Sequence, residues 1–142
     1  MIWDGSPFHG AKIALLLADR ILIYKRDRFP GLPFPGHWDL PGGGREGSES
    51  PQDCALRETH EEFGLTLDPA TICHQHAYTS TPGTLPAWFL VAPITESHRT
   101  LIRFGSEGER WTLAPITAYL ALPDAIPAHQ TRLRDWLARR PA

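Results

Sequence analysis

The chain has 142 residues, of which 42% are hydrophobic and 21% charged, and its formal net charge is -2. This balance fits one globular domain with one core. Two cysteines, Cys54 and Cys73, exclude a disulfide scaffold, and no CxxC spacing supplies structural zinc. The longest apolar stretches, IALLLA and AWFLVA, are too short to span a bilayer.

The N-terminus, MIWDGSPFHG, has no basic start followed by an apolar run, so no signal peptide is expected and a reduced cytoplasmic setting follows. Residues 11–26, AKIALLLADRILIYKR, predict two apolar strands around a turn at Ala18–Asp19. Lys25, Arg26 and Arg28 follow the second strand. They can touch a phosphate, although solvated cations at a strand end are commonplace. Residues 27–38 read as a loop, with three prolines and two glycines.

The next segment is unusual in charge. Between Asp39 and Asp68 eight acids face two arginines, leaving eight acids and twelve bases elsewhere. Such a distribution suits a site that recruits a cation within a scaffold that tolerates anions. The glycine-rich run PGGGREG, 41–47, predicts a loop able to bring backbone N–H groups to a phosphate. A helix is predicted over 51–63. Ser50 is its N-cap, Pro51 its first residue, Asp53 an acidic capping-box partner and Gly64 its stop.

On that helix Ala55, Leu56, Thr59 and Phe63 form a core stripe. Glu58, Glu61 and Glu62 occupy the neighbouring arc at i, i+3 and i+4, so three carboxylates converge. Arg57 alone is too little to neutralise them. A hard divalent cation, Mg²⁺ or Mn²⁺, is the economical compensation; a solvated acidic face is the alternative.

Farther on, 71–80 and 86–94 have strand character, and 109–116 is a weaker strand candidate. His74 and His76, two apart in the first of these, resemble a metal pair but fit ordinary same-face side chains better. Trp3, Trp88 and Phe89 can stack on a base, though the last two sit in an apolar strand and read as core. FGSEGERW, 104–111, places Glu107 and then Glu109 in a loop beyond the sheet, where a further carboxylate can serve as ligand or base. A second helix is predicted from about Pro127 to Arg139. Arg132, Arg134, Arg139 and Arg140 crowd its end, as the helix dipole favours. Strands mixed with two helices in this length predict an α/β sandwich.

Taken together, residues 43–65 resemble the Nudix box, G-x5-E-x7-R-E-U-x-E-E-x-G-U, with U a bulky apolar residue. The fixed positions here are Gly43, Glu49, Arg57, Glu58, Glu61, Glu62, Gly64 and Leu65. Thr59, at the first U position, is the one departure, and its place on the core arc makes that a packing matter. The lead-in GHWDLPGG is also similar to the family's. The resemblance implies a single domain over 1–142, an α/β/α sandwich with a mixed sheet, and hydrolysis of a nucleoside diphosphate linked to a group X. It implies Mg²⁺ or Mn²⁺ held by Glu58, Glu61 and Glu62, with Glu61 as the base. Glu49 and Arg57 would pair to fix loop and helix, Glu107 would add a catalytic carboxylate, and Gly42, Gly43 and Arg26 would bind substrate. A nucleoside triphosphate, giving the monophosphate and pyrophosphate, is slightly preferred. ADP-ribose, a dinucleoside polyphosphate and a non-catalytic nucleotide sensor are the alternatives. The expected partner is a small nucleotide, with no membrane and no nucleic-acid polymer; a homodimer stays open.

Overall fold

The computed structural model describes residues 2–140. A seven-stranded mixed sheet forms the middle layer. Its strands are β1 (Gly10–Leu17), β2 (Arg20–Lys25), β3 (Trp38–Asp39), β4 (Gly42–Gly44), β5 (His74–Tyr78), β6 (Ala87–Pro93) and β7 (Arg110–Pro115). β1 pairs parallel with β6 and antiparallel with β2 and β4. β2 also pairs with β3 and β7, and β5 pairs with β6.

The apolar runs of β1, β2 and β6 are continuous because both faces of the sheet are covered. On one face Ala11, Ile13, Leu15, Leu22, Trp88 and Leu90 pack with Cys54, Ala55 and Phe63 of α1 (Pro51–Phe63). On the other Ala14, Leu16, Ile21, Ile23, Phe89 and Val91 pack with Tyr119 and Leu133. Those two come from α3 (Ile116–Leu120) and α4 (Pro127–Arg139). The arrangement is the expected α/β/α sandwich. Trp88 and Phe89 are core residues on opposite faces, not base platforms.

Helix α1 has the predicted ends. Ser50 accepts from the Asp53 amide at 3.1 Å, Asp53 accepts from the Ser50 amide at 3.2 Å, and Gly64 closes the helix at φ 68°. A short helix, α2 (Glu96–Leu101), capped by Thr95, follows β6 and was not foreseen.

The glycine run departs from expectation. Gly42–Gly44 is strand β4, not a loop. A Cβ on Gly42 would lie 2.1 Å from the Ala11 carbonyl oxygen, and one on Gly10 would lie 2.3 Å from the Gly43 oxygen. The glycines let two backbones approach more closely than side chains permit.

Candidate active site

The strand β4 and the helix α1 run side by side, and the box residues meet between them. The Gly42 amide donates to Glu62 Oε1 at 2.9 Å. Gly43 lies against Glu58; a Cβ there would come 2.7 Å from the carboxyl carbon. Arg57 gathers the rest. Its Nε and Nη2 grip both oxygens of Glu49 at 2.7 and 3.1 Å. Its Nη1 reaches Glu58 Oε1 at 3.0 Å and Glu61 Oε1 at 3.2 Å, and Nη2 donates to the Gly44 carbonyl at 3.0 Å. The charge pair expected of Glu49 and Arg57 is thus a two-point clamp tying the loop to the helix.

This corrects one part of the sequence argument. Arg57 serves two of the three box glutamates as well as Glu49, because its planar fork presents five donors to surrounding acceptors. Glu62 is separate. It is buried to 7% exposure at the edge of the core stripe and makes no ion pair among the described residues. Burial pushes its carboxyl up to about 7, against the opposing pull of the Gly42 amide and Lys12. Burial also raises Glu58, with Arg57 opposing. The Arg57 hydrogen bond holds Glu49 below the usual carboxylate range.

Residues Arg103–Gly108 cross the C-terminal end of α1 as a strap. The Arg103 amide donates to the Phe63 carbonyl at 2.8 Å, and the Gly105 amide to the Glu62 carbonyl at 2.8 Å. The Gly108 amide donates to Asp27 Oδ2 at 3.0 Å. The strap brings Glu107 to the box: Glu61, Glu62, Gly105, Ser106 and Glu107 line a cleft of about 100 Å³. Glu107 also borders a neighbouring cavity of about 250 Å³, with Tyr24, Arg26, Asp27, Phe29 and Leu32. Glu109, the second choice, instead faces Arg28 at 3.6 Å.

The other candidates have local explanations. Lys25 lies over the Trp38 ring with Asp124 at 3.7 Å. Trp3 packs on Phe8 under Arg45. His74 and His76 stack with ring centroids 6.2 Å apart. Arg132 reaches Ser80, Arg134 the Leu120 carbonyl, Arg139 Asp135 and Arg140 the Trp136 ring.

Sequence reasoning missed Asp39. It is fully buried and accepts from Lys12, Tyr24 and Arg26 on Oδ2 and from Leu40 and His129 on Oδ1. Burial raises its carboxyl, but Lys12 and His129 outweigh that and hold it below the carboxylate range. The available signal was Lys12 itself, a cation inside an apolar strand that demands a counter-ion.

As they stand, no three His, Cys, Asp or Glu side chains among the described residues are grouped closely enough to hold a metal ion. The donor chemistry nonetheless fits a hard divalent cation: carboxylate oxygens on adjacent helical turns, one of them buried with no ion-pair partner.

The sequence model of the NUDIX domain matches residues 7–137. The chain belongs to the Nudix family. Its members are hydrolases acting on phosphoanhydride bonds. A Mycobacterium tuberculosis protein named "Putative 8-oxo-dGTP diphosphatase 3" is 37% identical over 65 residues, which is 46% of this chain and 24% of that one. The matched stretch thus spans about a quarter of the curated relative's length. Among solved structures, the Nudix hydrolase RenU from M. smegmatis aligns over 95% of this chain and 88% of its own, with TM-score 0.73 and 21% identity. A bifunctional NMN adenylyltransferase/ADP ribose pyrophosphatase from Francisella tularensis, complexed with AMP and an Mn ion, aligns over 93% of this chain and 42% of its own. Its TM-score is 0.69 and its identity 16%. These two likenesses speak to the fold.

Proposed function

We propose that residues 1–142 form one cytoplasmic Nudix domain that hydrolyses the phosphoanhydride bond of a nucleoside diphosphate linked to a further group. A nucleoside triphosphate, releasing pyrophosphate, is the preferred substrate. The observation that carries this reading is the shared wall formed by Glu107. On one side lies the carboxylate cleft of Glu61 and Glu62, and on the other the larger cavity with Tyr24, Arg26 and Phe29. The reacting phosphates fit the first and the rest of the nucleotide the second. The mycobacterial relative, by its name a diphosphatase of a modified dGTP, supports a triphosphate.

In this reading Glu58, Glu61 and Glu62 hold Mg²⁺ or Mn²⁺. A divalent ion bound there supplies neutralisation of the phosphate charge and a lowered pKa for water. The chain's own groups do the remaining work. Glu61, exposed at the cleft and held from one side by Arg57 Nη1, takes the proton of the attacking water. Glu107 faces the same space and orients that water or the phosphate end. Arg57 and Glu49 keep β4 and α1 in register, so the carboxylates stay within reach of the bond to be broken. Arg26 is anchored through Nε to the Pro33 carbonyl and through Nη1 to Asp39, which leaves Nη2 to meet substrate in the larger cavity.

The test is a panel of nucleoside triphosphates, oxidised deoxynucleoside triphosphates, ADP-ribose, dinucleoside polyphosphates and nucleotide sugars with Mg²⁺ or Mn²⁺, products resolved by ion exchange. Metal-dependent cleavage by the native chain and its loss in Glu61→Gln and Glu62→Gln is the expected result. Near-native turnover in both variants would sink the proposal.

A further inference from the structure

The Asp39 carboxylate is saturated: three donors sit on Oδ2 and two on Oδ1, at 2.7–3.1 Å. One of those donors leads directly to the box. Lys12 Nζ divides its three protons between Asp39 Oδ2 at 3.0 Å, the Leu40 carbonyl at 3.2 Å and the Gly42 carbonyl at 3.1 Å. Gly42 is the residue whose amide holds Glu62. Two hydrogen-bonded links, Asp39–Lys12–Gly42 carbonyl and Gly42 amide–Glu62, therefore meet at the Gly42 backbone.

The charges give these links a purpose. Glu62 is buried and has no ion-pair partner among the described residues. Lys12 is the cation whose field it feels most. A buried carboxylate and a nearby ammonium attract strongly unless another anion occupies the ammonium. Asp39 is that anion. We propose that Asp39 is a positioning residue for Glu62: it keeps Lys12 on the Gly42 carbonyl and away from the Glu62 carboxylate, leaving that carboxylate free to take a divalent cation. The inference rests on the reading of Glu62 as a metal ligand.

His129 provides the control. It holds the same carboxylate through Oδ1, from α4, and touches neither Lys12 nor Gly42 in this network. A merely structural role for Asp39 predicts that losing either contact acts alike.

The experiment is Mn²⁺ titration of the metal-free protein followed by electron paramagnetic resonance, with thermal melts in parallel. Asp39→Asn should weaken Mn²⁺ binding by about tenfold or more, as loss of a residue behind a metal ligand commonly does. His129→Gln should lower the melting temperature yet keep Mn²⁺ affinity within about twofold of native. The double variant Lys12→Met/Asp39→Asn removes the freed cation as well, so it should regain affinity. If Asp39→Asn alone does not fold, the double variant is compared with the native protein instead: Mn²⁺ affinity within about twofold of native supports the inference, and a loss of about tenfold overturns it. Equal Mn²⁺ affinity in Asp39→Asn and His129→Gln would overturn the inference, and so would a double variant as weak as Asp39→Asn. Absence of Mn²⁺ binding by the native protein would instead overturn the metal reading of Glu62, and this inference with it.

Discussion

The Gly42 amide and the Glu62 carboxylate, twenty residues apart in sequence, are joined by a hydrogen bond of 2.9 Å. That bond fixes the buried end of the glutamate series against the first strand of the box.

The nearest atoms a Gly43→Ala methyl meets are those of a side-chain end, the Glu58 carboxyl group. We expect a folded protein whose kcat/KM falls at least about tenfold, because the carboxylate must move from its place. Gly42→Ala meets backbone at 2.1 Å and requires φ 129°. We expect that variant to lose the β4 pairing and melt many degrees lower. A melting curve and a rate on each would show the contrast; two equally stable variants would refute it.

Arg57→Lys keeps the charge and loses the fork that grips Glu49 at two points. We expect activity to fall about 10- to 100-fold, as for other residues that hold catalytic ligands in place. Circular dichroism should be unchanged. Activity within a factor of two of native would show that the clamp is dispensable.

Thr59 is buried, and its hydroxyl donates to the Ala55 carbonyl at 2.8 Å. That carbonyl already serves the helix, so Thr59→Val orphans no buried acceptor. We expect a stability change within about 1 kcal/mol and unaltered turnover. A large loss of rate would give this departure from the box a chemical role.

Acid acts on the buried pair of His129 and Asp39 in two stages. His129 is buried and its proton affinity is lowered, despite Asp39 beside it, with Lys12 and Arg132 opposing protonation. The unfolded chain therefore takes up a proton first, and stability declines as pH drops below about 6.5. Asp39 has a depressed folded value, so its contribution is present above about pH 4 and declines as pH falls through and below that point. Glu62, raised to about 7, and Glu58 act in the opposite sense, because the native protein takes up their protons before the unfolded chain does. The His129 effect is therefore read as a difference: relative to native, His129→Gln should gain stability as melts go from pH 7 to 5. An unchanged difference would mean that His129 is not the titrating group.

Much of this architecture is legible in the sequence because local chemistry decides it. The α1 boundaries follow from Ser50, Asp53 and Gly64 acting within a few residues of one another. The β1–β2 hairpin turns at Ala18–Asp19, with Ala18 at φ 53°. Strand β4 is not legible, since three glycines carry no strand preference and become a strand only against β1. Helix α3 is hidden for a related reason: Ile116 continues the apolar run of β7, and no side chain caps the turn. Glu107 was assigned from its glycine-containing loop and the family resemblance, and in the structure the strap sets it beside Glu61 and Glu62. Asp39 was invisible as a centre, because its partners Lys12, Tyr24, Arg26 and His129 come from β1, β2 and the residue after it, and α4.

The parallel pairing of β1 with β6 sets Gly10 beside Ala87. In the order of synthesis, everything from β1 through the acidic helix leaves the ribosome before the strand that completes the floor beneath that helix. The glutamates are thus made early but mounted late. A nascent chain carries the whole box with β1 and β4 already made, but Trp88 and Leu90 complete the floor beneath the helix only when a loop of some seventy residues closes. Closure of such long-range contacts is slow relative to helix formation, so residues 87–93 complete the floor late, and the strap that carries Glu107 is made later still.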